Sequence, residues 1–332
     1  MSIHEYDENM LPDYEYYSGD LKYLVKGNKC RYLDGRRTPG IIEDYFEDIA
    51  MFRWRISKFE DKGKYWDLPA EKVSKFQFSK DSLVLDNTEA NNIKEKIEKF
   101  NILKVININQ KQQEETESEI RKHEKNIINS LRNNSVFFDI PKKIDLQSEV
   151  GNSLIQKELT TYMKSQGLFE LEKKTAEIIV TNAYSGEWVK GLGIVLAEIG
   201  LVPFKDKIPR TKDIFEGIGT KLLRRKYLIH RIAFIRAFFH LYGIDGVTLY
   251  RGMSTEGDWI QKTKTFSSWS TRLAVAQSFA VLDVDKYKQA YLIKRTINVN
   301  KIFMSFIETK EMNNQYKESE VLLLFDEREG FL

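Results

Sequence analysis

Hydrophobic and polar positions change their period several times along this chain. Met51-Phe52-Arg53-Trp54-Arg55-Ile56 alternates, with Phe52, Trp54 and Ile56 on one face and Arg53 and Arg55 on the other, which is the period of a half-buried strand. Before it come an apolar stretch at 23–25, a tight-turn signal at Asp34-Gly35, and Ile41-Ile42 after Thr38-Pro39-Gly40. Together they predict a small antiparallel barrel or curled sheet, closed near Tyr65-Trp66. From 89 to 134 the chain turns to Asn, Lys, Glu and Gln without Gly or Pro, the composition of a long polar helix or helical linker. Its apolar stripe is broken (Ile93, Ile97, Phe100, Leu103, then Ile120, Ile127, Leu131), so a coiled coil is only weakly indicated.

Helical spacing dominates 154–242, punctuated at 184–186, 200–203 and Pro209. Leu228, Ile232, Ile235, Phe239 and Tyr242 make one buried stripe, and Lys221, Arg224, Arg225, Lys226 and Arg231 a basic shoulder. Beyond this the pattern is mostly β. Gly246-Val247-Thr248-Leu249-Tyr250 reads as a buried strand and 264–266 as a short one; 273–280 reads as a helix, 289–299 as an alternating strand, and 302–305 and 321–325 as apolar strands. The expected architecture is α+β in three parts. These are a β-rich module over 1–88, a polar helical linker over 89–140, and a larger domain over 141–332 made of a helical lobe (141–242) and a β core (243–332).

Composition narrows the classes. At 332 residues and 42% hydrophobic the chain can hold two or three domains with real cores. No stretch approaches a membrane span, and the acidic, aromatic residues 1–17 do not resemble a secretory signal, so a soluble, cytoplasmic protein is expected. The single cysteine, Cys30, excludes an internal disulfide and a cysteine-built metal site; the four histidines show no ligand spacing, so no metal is expected. A net charge of +3 is too small to argue for nucleic acid by itself. Gly191-Leu192-Gly193 is not a dinucleotide fingerprint, because a third glycine and a preceding strand are missing.

Candidate chemistry concentrates in the last quarter. Arg251 ends the apolar run at 246–250; its planar, always-charged guanidinium can grip phosphate oxygens with two donors, and Gly252 lets backbone approach a ligand. A salt-bridging arginine at a strand end is the ordinary alternative. Phe266-Ser267-Ser268-Trp269-Ser270-Thr271 brings hydroxyls to the start of a helix, where Ser270 or Thr271 can serve simply as N-cap. Glu318-Ser319-Glu320 opens the run 321–325. On a strand the two carboxylates would share a face, which their repulsion disfavours unless a cation or substrate hydroxyl uses them.

In this order, the three pieces resemble the Arg, Ser-x-Ser and Glu-x-Glu motifs of the R-S-E class of ADP-ribosyltransferases, over roughly residues 220–332. Trp269 stands where that family often has Thr. The resemblance implies a split β-sheet around NAD and transfer of ADP-ribose to a macromolecule, NAD being the substrate. It implies that Arg251, Gly252, Ser268 and Ser270 bind NAD and that Ser268 orients the catalytic carboxylate of Glu320. That carboxylate would hold a ribose hydroxyl and face the positive charge left when nicotinamide departs. Glu318 would orient or deprotonate the acceptor. Residues 306–317, with Tyr316, resemble the family's acceptor-recognition loop.

The acceptor is left open between protein arginine and a base of RNA or DNA. An intracellular member of this kind resembles toxins of toxin-antitoxin or phage-defence systems, with an antitoxin as possible protein partner. Residues 1–140 match none of the family's motifs. There Arg36, Arg37, Arg53 and Arg55, with Tyr32 for stacking, can form a nucleic-acid face. Alternatively the arginines pair with Glu43, Asp44, Glu47 and Asp48 and solubilise the sheet, or the face binds a partner protein. A second function class is a non-enzymatic nucleic-acid- or partner-binding protein on a decayed transferase fold.

Overall fold

Alternation at 51–56 does produce a strand with one dry face. In the computed structural model Phe52, Trp54 and Ile56 are buried while Arg53 and Arg55 stay partly exposed. The structure describes residues 16–33, 37–59, 61–133, 145–182, 186–210, 213–255, 265–281, 289–314 and 317–324. The chain divides into two units, residues 1–103 and 104–332.

The first unit carries β1 (Tyr16–Ser18), β2 (Lys29–Tyr32), β3 (Pro39–Phe46), β4 (Met51–Ile56), β5 (Tyr65–Pro69) and β6 (Phe76–Ser79), followed by α1 (Asn87–Phe100). The strands form one antiparallel sheet in the order β1-β6-β2-β3-β4-β5. The expected closure at Tyr65-Trp66 is not seen among the described residues: β5 is an edge strand, and both side chains are exposed. Gly40 is required here, since a Cβ would lie 2.1 Å from the Trp54 indole nitrogen. Asp86 and Glu89 form a capping box that starts α1, which then lays Ile93, Ile97 and Phe100 into the sheet's core.

The second unit runs β7 (Leu103–Ile106), α2 (Gln110–Asn133), α3 (Ser153–Ser165), α4 (Phe169–Asn182), α5 (Glu187–Glu198), β8 (Phe204–Lys207) and α6 (Lys221–Leu241). It continues through β9 (Gly246–Thr255), β10 (Phe266–Ser270), α7 (Leu273–Val281), β11 (Gln289–Asn298), β12 (Ile302–Ser305), α8 (Glu311–Asn314) and β13 (Glu320–Leu324). β7 and β8 pair with each other, and the remaining strands form an antiparallel sheet in the order β11-β9-β10-β13-β12. The architecture is α+β.

The polar stretch expected as a linker over 89–140 is divided between the units. α1 belongs to the first core, whereas α2 docks on α6 through Ile120 and Ile127. Ion pairs of Glu117 with Arg236 (2.6 Å) and of Glu119 with Arg225 (2.6 Å) complete that dock, and the His240 Nδ1 lies 2.6 Å from Glu124 Oε1. Next to them His123 lies against His230 with ring centroids 4.2 Å apart and planes tilted by 45°, and the His230 Nδ1 is 2.6 Å from the Tyr162 hydroxyl. Burial lowers His230 to about 4. The apolar stripe is broken because charged groups hold much of the contact.

α6 is buried almost all round from Tyr227 to Phe239, and its basic shoulder is divided: Lys221 and Lys226 are exposed and Arg225 partly so, whereas Arg224 and Arg231 are buried. Arg224 is buried, donating from Nε to the Gly219 carbonyl (2.8 Å) and from Nη1 to that of Trp188 (2.9 Å). Arg231 is buried too. Its Nη2 donates to Glu308 Oε1 (2.6 Å) and Thr309 Oγ1 (2.8 Å), and its Nε lies 3.2 Å from Glu172 Oε2, which also accepts from the Tyr227 hydroxyl (2.8 Å). Burial alone would lower Arg231; the two carboxylates more than reverse this. A charge inside a helical layer persists only when paired in this way. Among the described residues no helix is long and apolar enough to cross a membrane.

Candidate active site

The apolar run 246–250 extends into a ten-residue strand, β9, which pairs with β11 along its whole length, from Gly246↔Asn298 to Thr255↔Gln289. Its other neighbour, β10, meets it at a single pair, Tyr250↔Ser270. From there 251–255 stays with β11 and 266–269 stays with β13, so the sheet is split. Arg251 is the first residue of β9 past the shared pair, and its guanidinium lies 5.9 Å from the ring of Trp269. Among the described residues it makes no side-chain hydrogen bond or ion pair, although it is only partly exposed.

Gly252 has a packing requirement of its own. A Cβ there would sit 1.7 Å from the Ala276 carbonyl oxygen and 2.7 Å from the Ala280 nitrogen, so the missing side chain is what lets α7 lie against β9. Close approach of backbone is indeed required, and on the Cβ side the approaching group is the chain's own helix.

On the other side of the split, β10 and β13 pair over five residues, with Ser268 opposite Leu322 and Ser270 opposite Glu320. Side chains diagonal across such a pair are within reach of each other. The Ser268 hydroxyl donates to Glu320 Oε1, as the resemblance implies. Burial raises Glu320 above the usual carboxylate range, the Ser268 bond opposes this, and the charge of Glu318 adds to it.

Glu318 itself is not on the strand. β13 begins at Glu320, and Ser319 has φ 48°, in the left-handed region, so the shared face expected from two-residue spacing does not apply. Even so the carboxylates are near enough for Glu318 to raise Glu320. Burial raises Glu318 as well, and its side chain has no hydrogen bond or ion pair among the described residues.

Ser270 is engaged internally. It donates to the Glu318 carbonyl (2.7 Å) and accepts from the Arg272 amide (3.0 Å), so as an NAD contact it has only a spare lone pair. The second of these bonds goes to the amide of the residue before α7 (Leu273–Val281), a local turn and not a bond to one of the helix's own amides, so the N-cap expected at Ser270 is not formed. Thr271 Oγ1, the other candidate cap, is buried and has no hydrogen-bond partner among the described residues. Residues 306–309 are buried at the base of the loop that was likened to an acceptor-recognition loop, and Glu308 is held there by Arg231. Tyr316 lies outside the described residues.

Of the arginines in the first unit, Arg53 makes a two-pronged contact with Asp67 (2.7 and 2.9 Å) and Arg55 pairs with Glu43. Arg37 adopts φ 51°, and Arg36 lies outside the described residues. Tyr32 packs its ring on Trp54, Trp66 and Phe76 at 5.1 to 6.3 Å, so it is not a free stacking platform. Ion pairing with acidic neighbours is therefore the role seen for Arg53 and Arg55.

Three features escaped the sequence reading: the left-handed Ser319, the segment 147–152 that contacts it, and the Arg231–Glu308 pair under the loop. Among the described residues no group of three or more His, Cys, Asp or Glu could hold a metal ion. Compared with protein-family models, curated proteins and solved structures, the chain matches none.

Proposed function

We propose that the chain is an NAD-dependent mono-ADP-ribosyltransferase. The observation that carries the reading is the Ser268 hydroxyl on Glu320, made across β10 and β13 at the split of the sheet. Such a bond fixes the rotamer of a carboxylate that burial has made costly to ionise, an arrangement that structural economy alone does not favour. Arg251 and Glu318, whose side chains make no hydrogen bond or ion pair among the described residues, suit one ligand that brings phosphate and another that brings a nucleophile.

NAD supplies the ADP-ribose. The bond from ribose carbon to nicotinamide nitrogen breaks with both electrons leaving on nicotinamide, and the acceptor's nucleophile bonds to that carbon and loses a proton. Glu320 holds a ribose hydroxyl and offers negative charge where positive charge develops. Arg251 binds pyrophosphate oxygens, with Trp269 keeping the guanidinium in place. Glu318 orients the acceptor and takes its proton; a raised pKa makes it a better base once ionised.

The acceptor is a macromolecule, either a protein arginine or a nucleic-acid base, and the setting proposed is an intracellular toxin or defence effector restrained by an antitoxin. Nicotinamide release from NAD by the purified chain tests the activity: no release above the uncatalysed rate would remove the enzymatic reading and leave a binding protein. Labelled NAD incubated with cell lysate, followed by separate nuclease and protease digestion, identifies the acceptor class.

A further inference from the structure

The residue between the two glutamates is the most constrained in the site. Ser319 is fully buried and has φ 48°, a conformation that a serine adopts only when its surroundings demand it. Its carbonyl accepts from the Thr271 amide (3.2 Å) and its hydroxyl donates to the Ser148 carbonyl (2.9 Å), across 171 positions of sequence. The carbonyls on either side are held too, that of Glu318 by the Ser270 hydroxyl (2.7 Å) and that of Glu320 by the Phe306 amide (2.9 Å).

Ser148 belongs to a strap, residues 147–152, that ties the surroundings of this turn together. Gln147 Nε2 donates to the Thr271 carbonyl (3.0 Å), Glu149 pairs with Arg272 (2.7 Å), and the Asn152 amide donates to the Ile307 carbonyl (2.9 Å). At Gly151 a Cβ would lie 2.4 Å from the Phe306 carbonyl oxygen, so the strap is closely packed against the base of the loop. One short segment thus touches the end of the serine motif, the centre of the Glu-Ser-Glu turn and the start of the loop between β12 and β13.

Glu320 has independent support, from strand pairing and from Ser268. Glu318 does not: it precedes the strand, its side chain has no partner among the described residues, and its direction depends on the turn at Ser319. We propose that Ser319 and the strap carbonyl of Ser148 form a positioning latch that aims Glu318 at the acceptor and thereby sets how much ADP-ribose goes to the acceptor and how much to water. This rests on the transferase reading above. Ser319 touches neither substrate; it acts through Glu318.

The test compares Ser319→Ala, Ser319→Gly and Ser319→Asn in the full chain, measuring transfer to protein and to nucleic acid, NAD hydrolysis, and amide hydrogen exchange around Thr271. Alanine loses the donor and keeps the backbone strain. Glycine loses the donor and relieves the strain, and asparagine tolerates the left-handed region while offering an amide donor. Losing one hydrogen bond should lower the ratio of transfer to hydrolysis about tenfold in both the alanine and the glycine variants. Asparagine should restore most of the ratio. The Thr271 amide should exchange faster in the first two variants than in the wild type.

An unchanged ratio in the glycine variant, which carries no added strain, overturns the latch even if the alanine variant fails to fold. Parallel loss of transfer and hydrolysis overturns it as well, since that pattern marks general damage to the site. If the wild type releases no nicotinamide, the transferase reading falls by itself. Hydrogen exchange still decides the latch in that case, because unaltered protection of Thr271 in the alanine and glycine variants means that the Ser319 hydroxyl holds nothing in place.

Discussion

Glu320→Gln separates what this carboxylate does for the reaction from what it costs the fold. The Ser268 hydroxyl donates to Glu320 Oε1, and a glutamine carbonyl can accept the same bond, so shape and orientation survive the change. The charge does not. Placed against the developing positive charge of the ribose, it should be worth about 3 to 4 kcal/mol, or roughly two to three orders of magnitude in nicotinamide release. Stability should move the other way. Burial, together with Glu318, holds the folded-state pKa of Glu320 above its unfolded value, against the opposing Ser268 bond. The folded chain therefore binds this proton more tightly, so the contribution is fully present below the unfolded pKa and is lost as pH rises through the folded one. At neutral pH the ionised group is a cost that glutamine removes, and Tm should stay level or rise. Below the unfolded-state pKa, where the group is protonated in both folded and unfolded chains, the difference between the two proteins should vanish. Chromatography of released nicotinamide and thermal unfolding by circular dichroism measure both effects. Turnover within threefold of wild type refutes the catalytic assignment, and a Tm lowered by several degrees at neutral pH refutes the burial argument.

Ser268→Ala removes a hydrogen bond to a charged group, worth about 1.5 to 3 kcal/mol, so nicotinamide release should fall roughly ten- to a hundredfold. Because that bond lowers Glu320, the acid limb of the activity profile should move to higher pH; an unmoved limb would show that Ser268 does not act through the carboxylate. Arg231→Met leaves Glu308 and Glu172 buried without their cation and should cost about 3 to 5 kcal/mol in urea unfolding, with part recovered by adding Glu308→Gln. A loss below about 1 kcal/mol would mean that the cluster is not held by its charges. Arg53→Glu with Arg55→Glu reverses two guanidiniums that Asp67 and Glu43 already hold, so affinity for single-stranded RNA in a filter-binding titration should change less than twofold. A fall of tenfold or more, with the salt slope flattened by roughly one unit per lost phosphate contact, would restore a nucleic-acid role to this face.

Local periodicity carried much of the fold. Alternation at 51–56 and 289–298, the helical spacing from Leu228 to Phe239, and the apolar runs at 246–250 and 321–324 each became the expected element. A repeat of two or 3.6 residues records which side of an element must be dry, and that is a property of neighbouring residues. It does not record which distant element makes that side dry. The basic shoulder of α6 therefore looked like one face, although Arg231, unlike Lys221 and Lys226, is buried against Glu308, 77 positions later. The stripe at 93, 97 and 100 looked like linker, although it seals a sheet whose first strand starts at Tyr16, 77 residues before Ile93.

The candidate site divides along the same line. Motif order singled out Arg251, Ser268 and Glu320, and the Ser268–Glu320 bond spans 52 positions that only strand pairing closes. Glu318 and Ser319 were beyond the reach of pattern, because two-residue spacing assumes an extended backbone. Here the chain turns left-handed at Ser319, held by a carbonyl 171 residues away. Gly252 illustrates the difference in one residue. Sequence marked it as a place where backbone must come close, and the fold determined that the backbone in question is α7. Residue type and spacing express local preference, whereas close approach, burial of charge and backbone strain are set by contacts that exist only once the chain has closed on itself.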